Sequence, residues 1–263
     1  MRYGFMRSVA LVLVITFALT LCSCNHASDN PGFESGEDET APTEKQVYLL
    51  YTTLDYLENY KYTYYYDEYG NEIRATKEDL NGELLATWLS EYDEHNNLIK
   101  KTVDTGDGTP FVQLIQNYDA NGNLIERHEF SQNGETVFTY QYDGQNRLVS
   151  KSCGGQIIET YSYEADGSYR AQTVDSENEY RLYNRDGKIT ERHFGTASKW
   201  VYSYNADGVL VEFTSYSGND IKEKQIRQLD EHGNVIKIIK QSSSGTETVL
   251  GENEYKLYTV KVR

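Results

Sequence analysis

Tyr118-Asp119-Ala120-Asn121-Gly122-Asn123-Leu124-Ile125 decides how this chain folds. An Asp opens the segment after an aromatic residue, and three places later comes a Gly. Asp or Asn at the first place and Gly at the fourth is the signature of a type I turn. The Asp side chain accepts a hydrogen bond from the backbone two residues on. A residue with positive φ after such a turn gives a bulged hairpin loop. The octapeptide is therefore read as the tip of a β-hairpin.

The pattern recurs eight times. Its anchors are Tyr66, Tyr92, Tyr118, Tyr142, Tyr163, Tyr183, Tyr204 and Leu229. The residues after them are Asp67, Asp93, Asp119, Asp143, Glu164, Asn184, Asn205 and Asp230. Four places after the anchors stand Gly70, Asn96, Gly122, Asn146, Gly167, Gly187, Gly208 and Gly233, the two residue types that most readily hold positive φ. These eight are the expected turn-defining residues. Before the anchors, aromatic and polar residues alternate, as in Phe138, Tyr140 and Tyr142 or Trp200, Tyr202 and Tyr204, the period of a strand with one packed face. After the loops comes an apolar pair, such as Leu98-Ile99 or Leu148-Val149, which is expected to be covered on both faces; Glu72, Arg170 and Thr190 break the pattern in copies one, five and six. Looser turns, such as Asn81-Gly82 and Asn133-Gly134, join the copies and make the period uneven.

The string Tyr118 to Ile125 resembles the YD-repeat (RHS-repeat) family, and so do Tyr66-Asp67-Glu68-Tyr69-Gly70-Asn71 and Leu229-Asp230-Glu231-His232-Gly233-Asn234-Val235. The resemblance runs from about Tyr62 to Lys240. It implies an all-β fold: an antiparallel β-hairpin repeat array, coiled or twisted into a ribbon. In large members of the family such ribbons form shells that enclose a toxin or present an adhesive surface. Eight copies are expected to be too few to close a shell, and no toxin-like domain is expected after the repeats, whose last strand runs out to Lys261-Val262-Arg263. Two strands per copy give roughly sixteen strands, more than a flat open sheet tolerates, so the sheet must coil, split or close. A small propeller or a barrel is the alternative; the uneven period argues against it.

Residues 1–23 read as a lipoprotein signal peptide. Arg2 and Arg7 precede an apolar run, Val9 to Leu21, shorter than the ~20 residues of a spanning helix. Leu21-Cys22-Ser23-Cys24 resembles a lipobox with the small Ser23 before Cys24, so Cys24 is the expected lipidation site. Residues 24–45, acidic and poor in apolar side chains, are expected to form a disordered tether. Residues 46–263 form the repeat domain, with 46–60 readable as capping strand or short helix.

The 25 basic residues against 41 acidic ones give a net charge of −16. That balance disfavours nucleic acid as a partner. It also keeps exposed strand edges apart. No catalytic constellation and no cofactor or metal site is expected. Asp119, Asn121 and Asn123 imitate the start of a calcium loop, but the twelfth position is Phe130 where a bidentate Glu is required. His128 and His193 sit at equivalent strand places, too far apart in a linear array to share a metal. Cys153 is expected to be a half-buried strand residue with no partner. Trp88 and Trp200 are the candidate ligand-stacking residues, weighed against a packing role. The function expected is that of a lipid-anchored, extracytoplasmic protein of the bacterial cell envelope, a non-catalytic recognition module for a glycan or a protein. The alternative is a structural or immunity-like envelope lipoprotein with a protein partner.

Overall fold

In the computed structural model, residues 43–106 and 109–262 are described. All regular structure among them is antiparallel β. The hairpins β2(Tyr60–Tyr66)/β3(Glu72–Asp79), β4(Leu84–Tyr92)/β5(Leu98–Asp104), β6(Phe111–Tyr118)/β7(Leu124–Ser131) and β8(Gly134–Tyr142)/β9(Leu148–Cys153) carry the first four turns. The next four turns join β10(Gln156–Tyr163)/β11(Tyr169–Thr173), β12(Glu179–Tyr183)/β13(Ile189–Phe194), β14(Ser198–Tyr204)/β15(Leu210–Ser217) and β16(Asp220–Leu229)/β17(Val235–Gln241). Two strands without the motif flank them, β1(Thr43–Asp55) and β18(Glu247–Val262).

The array closes. Each strand pairs with its sequence neighbours, and β1 pairs with both β2 and β18, so the 18-stranded sheet has become a barrel. Two strands beyond the sixteen expected make the closure. β1 also settles residues 46–60: they form strand and turn, not helix, and the strand begins at Thr43, inside the segment assigned to the tether. Eight copies do close a shell, because β1 and β18 supply a seam that no repeat encodes. The seam pairs Leu54 with Glu252 and Asp55 with Gly251. Beyond it β1 and β18 continue as a two-stranded arm from Leu50↔Tyr255 to Thr43↔Val262. In this arm Tyr48 stacks on His232 in the eighth turn, with ring centroids 4.4 Å apart. The Lys261 N–H donates to the Glu68 carbonyl in the first turn (2.7 Å).

The motif makes each turn as its chemistry dictates. Gly122 N–H donates to Asp119 O (3.0 Å) and Asp119 N–H to Asn123 O (2.9 Å). Asp119 Oδ1 accepts from the N–H groups of Asn121 and Asn123, and Oδ2 from Asn123 Nδ2. Asp67, Asp93, Asp143 and Asp230 repeat this three-bond pattern. All eight turn-defining residues have positive φ, from 58° at Asn146 to 87° at Gly167. In seven copies the register slips by one residue at the anchor, a β-bulge that increases local twist. Copy five pairs Ser162↔Arg170 and Tyr163↔Tyr169 without a slip. There the longer Glu164 replaces Asp, and Asp166 accepts from Ser168 N–H instead. The second residue of each apolar pair falls in the bulge; Ile125 and Ile236 are exposed there, while Ile99, Val149 and Val211 are partly covered. Two of the joining turns use the same geometry: Asp79 caps Asn81 and Glu83, and Ser242 caps Thr246.

The two faces of the sheet differ in what governs their ionisation. On the face that carries the anchors, burial is the leading cause: it pushes up the hydroxyls of Tyr64, Tyr92, Tyr118, Tyr140 and Tyr202. On the opposite face, hydrogen bonds lead, as at Glu126, His128, Lys237 and Glu252. Tyr65 and Leu89 on the opposite face stand exposed, whereas Tyr64, Ser90 and Arg227 on the anchor face do not, which puts the anchor face on the inside of the ring. The outer wall carries ion pairs along its strands, Lys100–Glu91, Lys224–Glu212 and Lys237–Glu252, where a lipid-facing barrel would carry an apolar band. Among the described residues strands pair only with their ring neighbours, and side-chain contacts such as Lys101–Glu72, Arg181–Glu159 and Tyr66–Tyr258 reach two places round the ring. Eighteen strands at ~4.8 Å have a perimeter of roughly 86 Å, in the size range where barrels hold an aqueous lumen.

Candidate functional site

The inner wall is the candidate site, built in tiers. The first tier is the ring of anchors. Six of their hydroxyls reach sideways to a backbone carbonyl on the preceding strand: Tyr66 to Leu50, Tyr92 to Glu72, Tyr118 to Leu98, Tyr142 to Leu124, Tyr163 to Leu148 and Tyr204 to Ile189, at 2.7–3.0 Å. Leu229 has no hydroxyl to offer. At the next place in the ring Asn253 Nδ2 donates to Val235 O (2.8 Å). Tyr183 instead stacks flat on Tyr169, with centroids 4.5 Å apart and planes 7° apart. The anchors thus tie one hairpin to the next, a role that their aromatic character alone does not reveal.

The second tier lies two residues before the anchors, together with the partners of those residues across each hairpin. Here stand Lys101 opposite Ser90, Arg127 opposite Gln116, Lys151 opposite Tyr140, Arg181 opposite Arg192, and Arg227 opposite Ile238. No Asp or Glu occupies either position in any copy. An acidic chain has therefore placed a basic belt on its inner wall. Three belt members lean on carboxylates from neighbouring tiers: Lys101 on Glu72 (3.6 Å), Arg127 on Glu129 (2.6 Å) and Arg181 on Glu159. Two lie over rings instead. Lys151 Nζ is 4.2 Å from the Phe138 centroid, and the Arg192 guanidinium is 4.5 Å from Phe194 and 5.4 Å from Trp200. Burial pulls the Lys151 and Arg227 ionisations down, as expected of cations taken out of water. Arg127 Nε, Arg181 Nε and Arg227 Nη1 are buried and have no hydrogen-bond partner.

The third tier holds both tryptophans. Trp88 is half-buried near Tyr62 (6.4 Å). Trp200 is wedged between Phe194 (4.5 Å) and Phe213 (5.3 Å). Both lie on the anchor face and are held by packing: Trp200 by the two phenylalanines and the Arg192 guanidinium, Trp88 beside Tyr62. His128 and His193 lie on the outer wall, each held by nearby glutamates: His128 by Glu126 and Glu135, His193 by Glu191. Asp119 spends its carboxylate on the turn, and no metal-binding cluster occurs among the described residues. Cys153 ends β9 as a half-buried free thiol. Cys24 lies outside the described residues.

A ring of motif-capped hairpins closed into a hollow sheet defines a β-shell. The family model of the teneurin YD-shell matches residues 80–245. The chain belongs to that family. No curated protein matches it. Among solved structures, the chain is similar to the Photorhabdus luminescens Tc holotoxin pore, with 14% identity and a TM-score of 0.30 over 74% of this chain and 9% of that one. It is similar also to the TcdB2-TccC3-Cdc42 structure, with 10% identity and a TM-score of 0.30 over 70% of this chain and 14% of that one. This chain thus spans about a seventh or less of the length of these two.

Proposed function

We propose that the protein is a lipid-anchored recognition module of the cell envelope, extracytoplasmic and non-catalytic, whose β-shell binds a glycan or a protein on its inner wall. The observation that carries this reading is the tiered lining of tyrosine, tryptophan and cations on the anchor face of a closed ring of 18 strands. Aromatic faces suit sugar rings and apolar side chains alike. The turn carboxylates are taken up as hydrogen-bond acceptors, which supports a binding role over acid–base chemistry. The lipobox-like Leu21-Cys22-Ser23-Cys24 supports the anchor. Labelling cells with a fatty-acid probe tests the anchor: label retained by the wild type and lost in Cys24→Ala is expected, and equal labelling of both refutes it. A glycan panel with the protein from residue 25 onward tests the binding.

The alternative, a structural or immunity-like envelope lipoprotein that adds a partner's strand, has less room. A closed ring offers no free edge, and strand addition is confined to the arm of β1 and β18. Capture of one abundant envelope protein, lost when Tyr48 and Leu257 on the arm are changed to Lys, would favour it.

A further inference from the structure

We infer that the inner-wall belt is a binding site for a carboxylated glycan, a linear sugar polymer bearing uronic acids. The inference rests on the glycan form of the proposed function and deepens it. Three observations carry it.

The first is the placement of charge. Lys101, Arg127, Lys151, Arg181, Arg192 and Arg227 occupy one tier of the wall in a chain of net charge −16. Glu72, Glu129 and Glu159 partner Lys101, Arg127 and Arg181, so the charge open to an anion is that of Lys151, Arg192 and Arg227, gathered inside the ring where it attracts anions. The second is unmet hydrogen-bonding capacity. Arg127, Arg181 and Arg227 each keep a buried nitrogen without a partner. Lys151 and Arg192 have rings where a carboxylate would stand. Buried donors are as a rule paired. A carboxylate entering the belt would supply acceptors to Lys151 and Arg192 and draw the neighbouring arginines toward it.

The third is spacing. Lys101, Arg127 and Lys151 stand on β5, β7 and β9, alternate strands and therefore ~10 Å apart. That is close to the length of two sugar rings, so a galacturonate chain, with a carboxylate on every ring and successive rings turned to opposite sides, presents every second carboxylate to the belt. Between and below the cations lie aromatic faces, Tyr140 beside Lys151 and Trp200 beside Arg192. A sugar ring stacks on such a face while its carboxylate pairs with the cation. An acidic peptide satisfies the cations but leaves the rings unused, so the sugar polymer is the occupant that uses both.

The test is a titration of the protein from residue 25 onward with oligogalacturonate, followed by tryptophan fluorescence and calorimetry. Trp200 reports on the belt directly. The expected result is saturable binding with a fluorescence change and an affinity that falls with added salt. Lys151→Gln and Arg192→Gln should each weaken it at least tenfold. Neither residue makes an ion pair in the described structure, and circular dichroism verifies that both variants fold. Lys100→Gln, on the outer wall, should bind as the wild type does. Methyl-esterified oligogalacturonate should not bind. Polyglutamate binding as tightly as the sugar would overturn the glycan assignment. Binding of a neutral glycan, unaffected by Lys151→Gln or Arg192→Gln, would overturn the belt while leaving the recognition function standing. No binding by any glycan of the panel would overturn both.

Discussion

Gly251 stands where the ring closes, paired with Ile238 on one side and with Asp55 on the other. A Cβ at this position would lie 2.6 Å from the Leu54 carbonyl oxygen. That is several tenths of an ångström inside contact, and the obstacle is backbone. Gly251→Ala must therefore push β1 away from β18 at the seam. Overpacking of this kind costs about 1–3 kcal/mol. The loss of unfolded-state entropy offsets about 0.4–1 kcal/mol of that. The net expectation is a destabilisation of about 1–2 kcal/mol, a drop of roughly half a molar in the urea midpoint at an m-value of ~2–3 kcal/mol/M. Gly144→Ala is the matched control. It has no neighbour within 4 Å of the added methyl and no positive φ, so the entropy gain stands alone and the midpoint should hold or rise slightly. Equal midpoints for Gly251→Ala and Gly144→Ala would refute the seam as described.

Other expectations follow from the turns and the inner wall. Tyr118→Phe removes the hydroxyl bond to Leu98 O and should cost ~1 kcal/mol in urea unfolding, while Tyr65→Phe, exposed on the outer wall, should cost little. Gly122→Ala places a side chain at φ +79° and should cost about 1–2 kcal/mol by the same assay. On the alkaline side, burial raises Tyr62, Tyr92, Tyr169 and Tyr202 from 10.0 to about 12. A raised folded value means that their contribution is whole below pH 10 and is lost between about 10 and 12. Phenolate absorbance should accordingly appear in two steps, the later one coinciding with unfolding; a single step near pH 10 without unfolding contradicts the buried wall. On the acid side, hydrogen bonds hold Asp119, Asp143 and Asp79 below the usual carboxylate range, so stability should be level above pH 4 and fall as the pH drops through their folded values. A midpoint unchanged from pH 5 to pH 2 would contradict this.

The hairpins were legible because each turn states its own geometry locally: Asp119 and Gly122 need no distant partner to form their bonds. Closure was not legible. β1 and β18 carry no motif, and Thr53 meets Asn253 across 200 positions of sequence. Their apolar content in 46–60 suits a strand and a helix equally until a partner strand is present to take its hydrogen bonds. The shell's sixteen motif strands were read correctly, but only the unmarked pair turns a ribbon into a ring. The inner wall was half legible. Alternating aromatics announced one packed face, yet nothing local says which face turns inward. The belt did leave a signal: a cation stands nine residues after the anchor in Lys101, Arg127, Lys151 and Arg192. It acquires meaning once the bulge is counted, because the extra residue returns the ninth position to the anchor's own face. The hydroxyl latches escaped for a similar reason, since their acceptors are carbonyls of the neighbouring hairpin.

The ring closure itself is tested most directly by joining its two ends covalently. Thr53 Oγ1 lies 2.9 Å from Asn253 Oδ1. With Cys153 changed to Ser, in the protein from residue 25 onward, Thr53→Cys and Asn253→Cys should form an intramolecular disulfide under mild oxidation. Mass spectrometry would find the two peptides linked at low protein concentration. A chain that keeps both thiols free, or that links only between molecules, would mean that the first and last strands do not meet and that the sheet is an open ribbon.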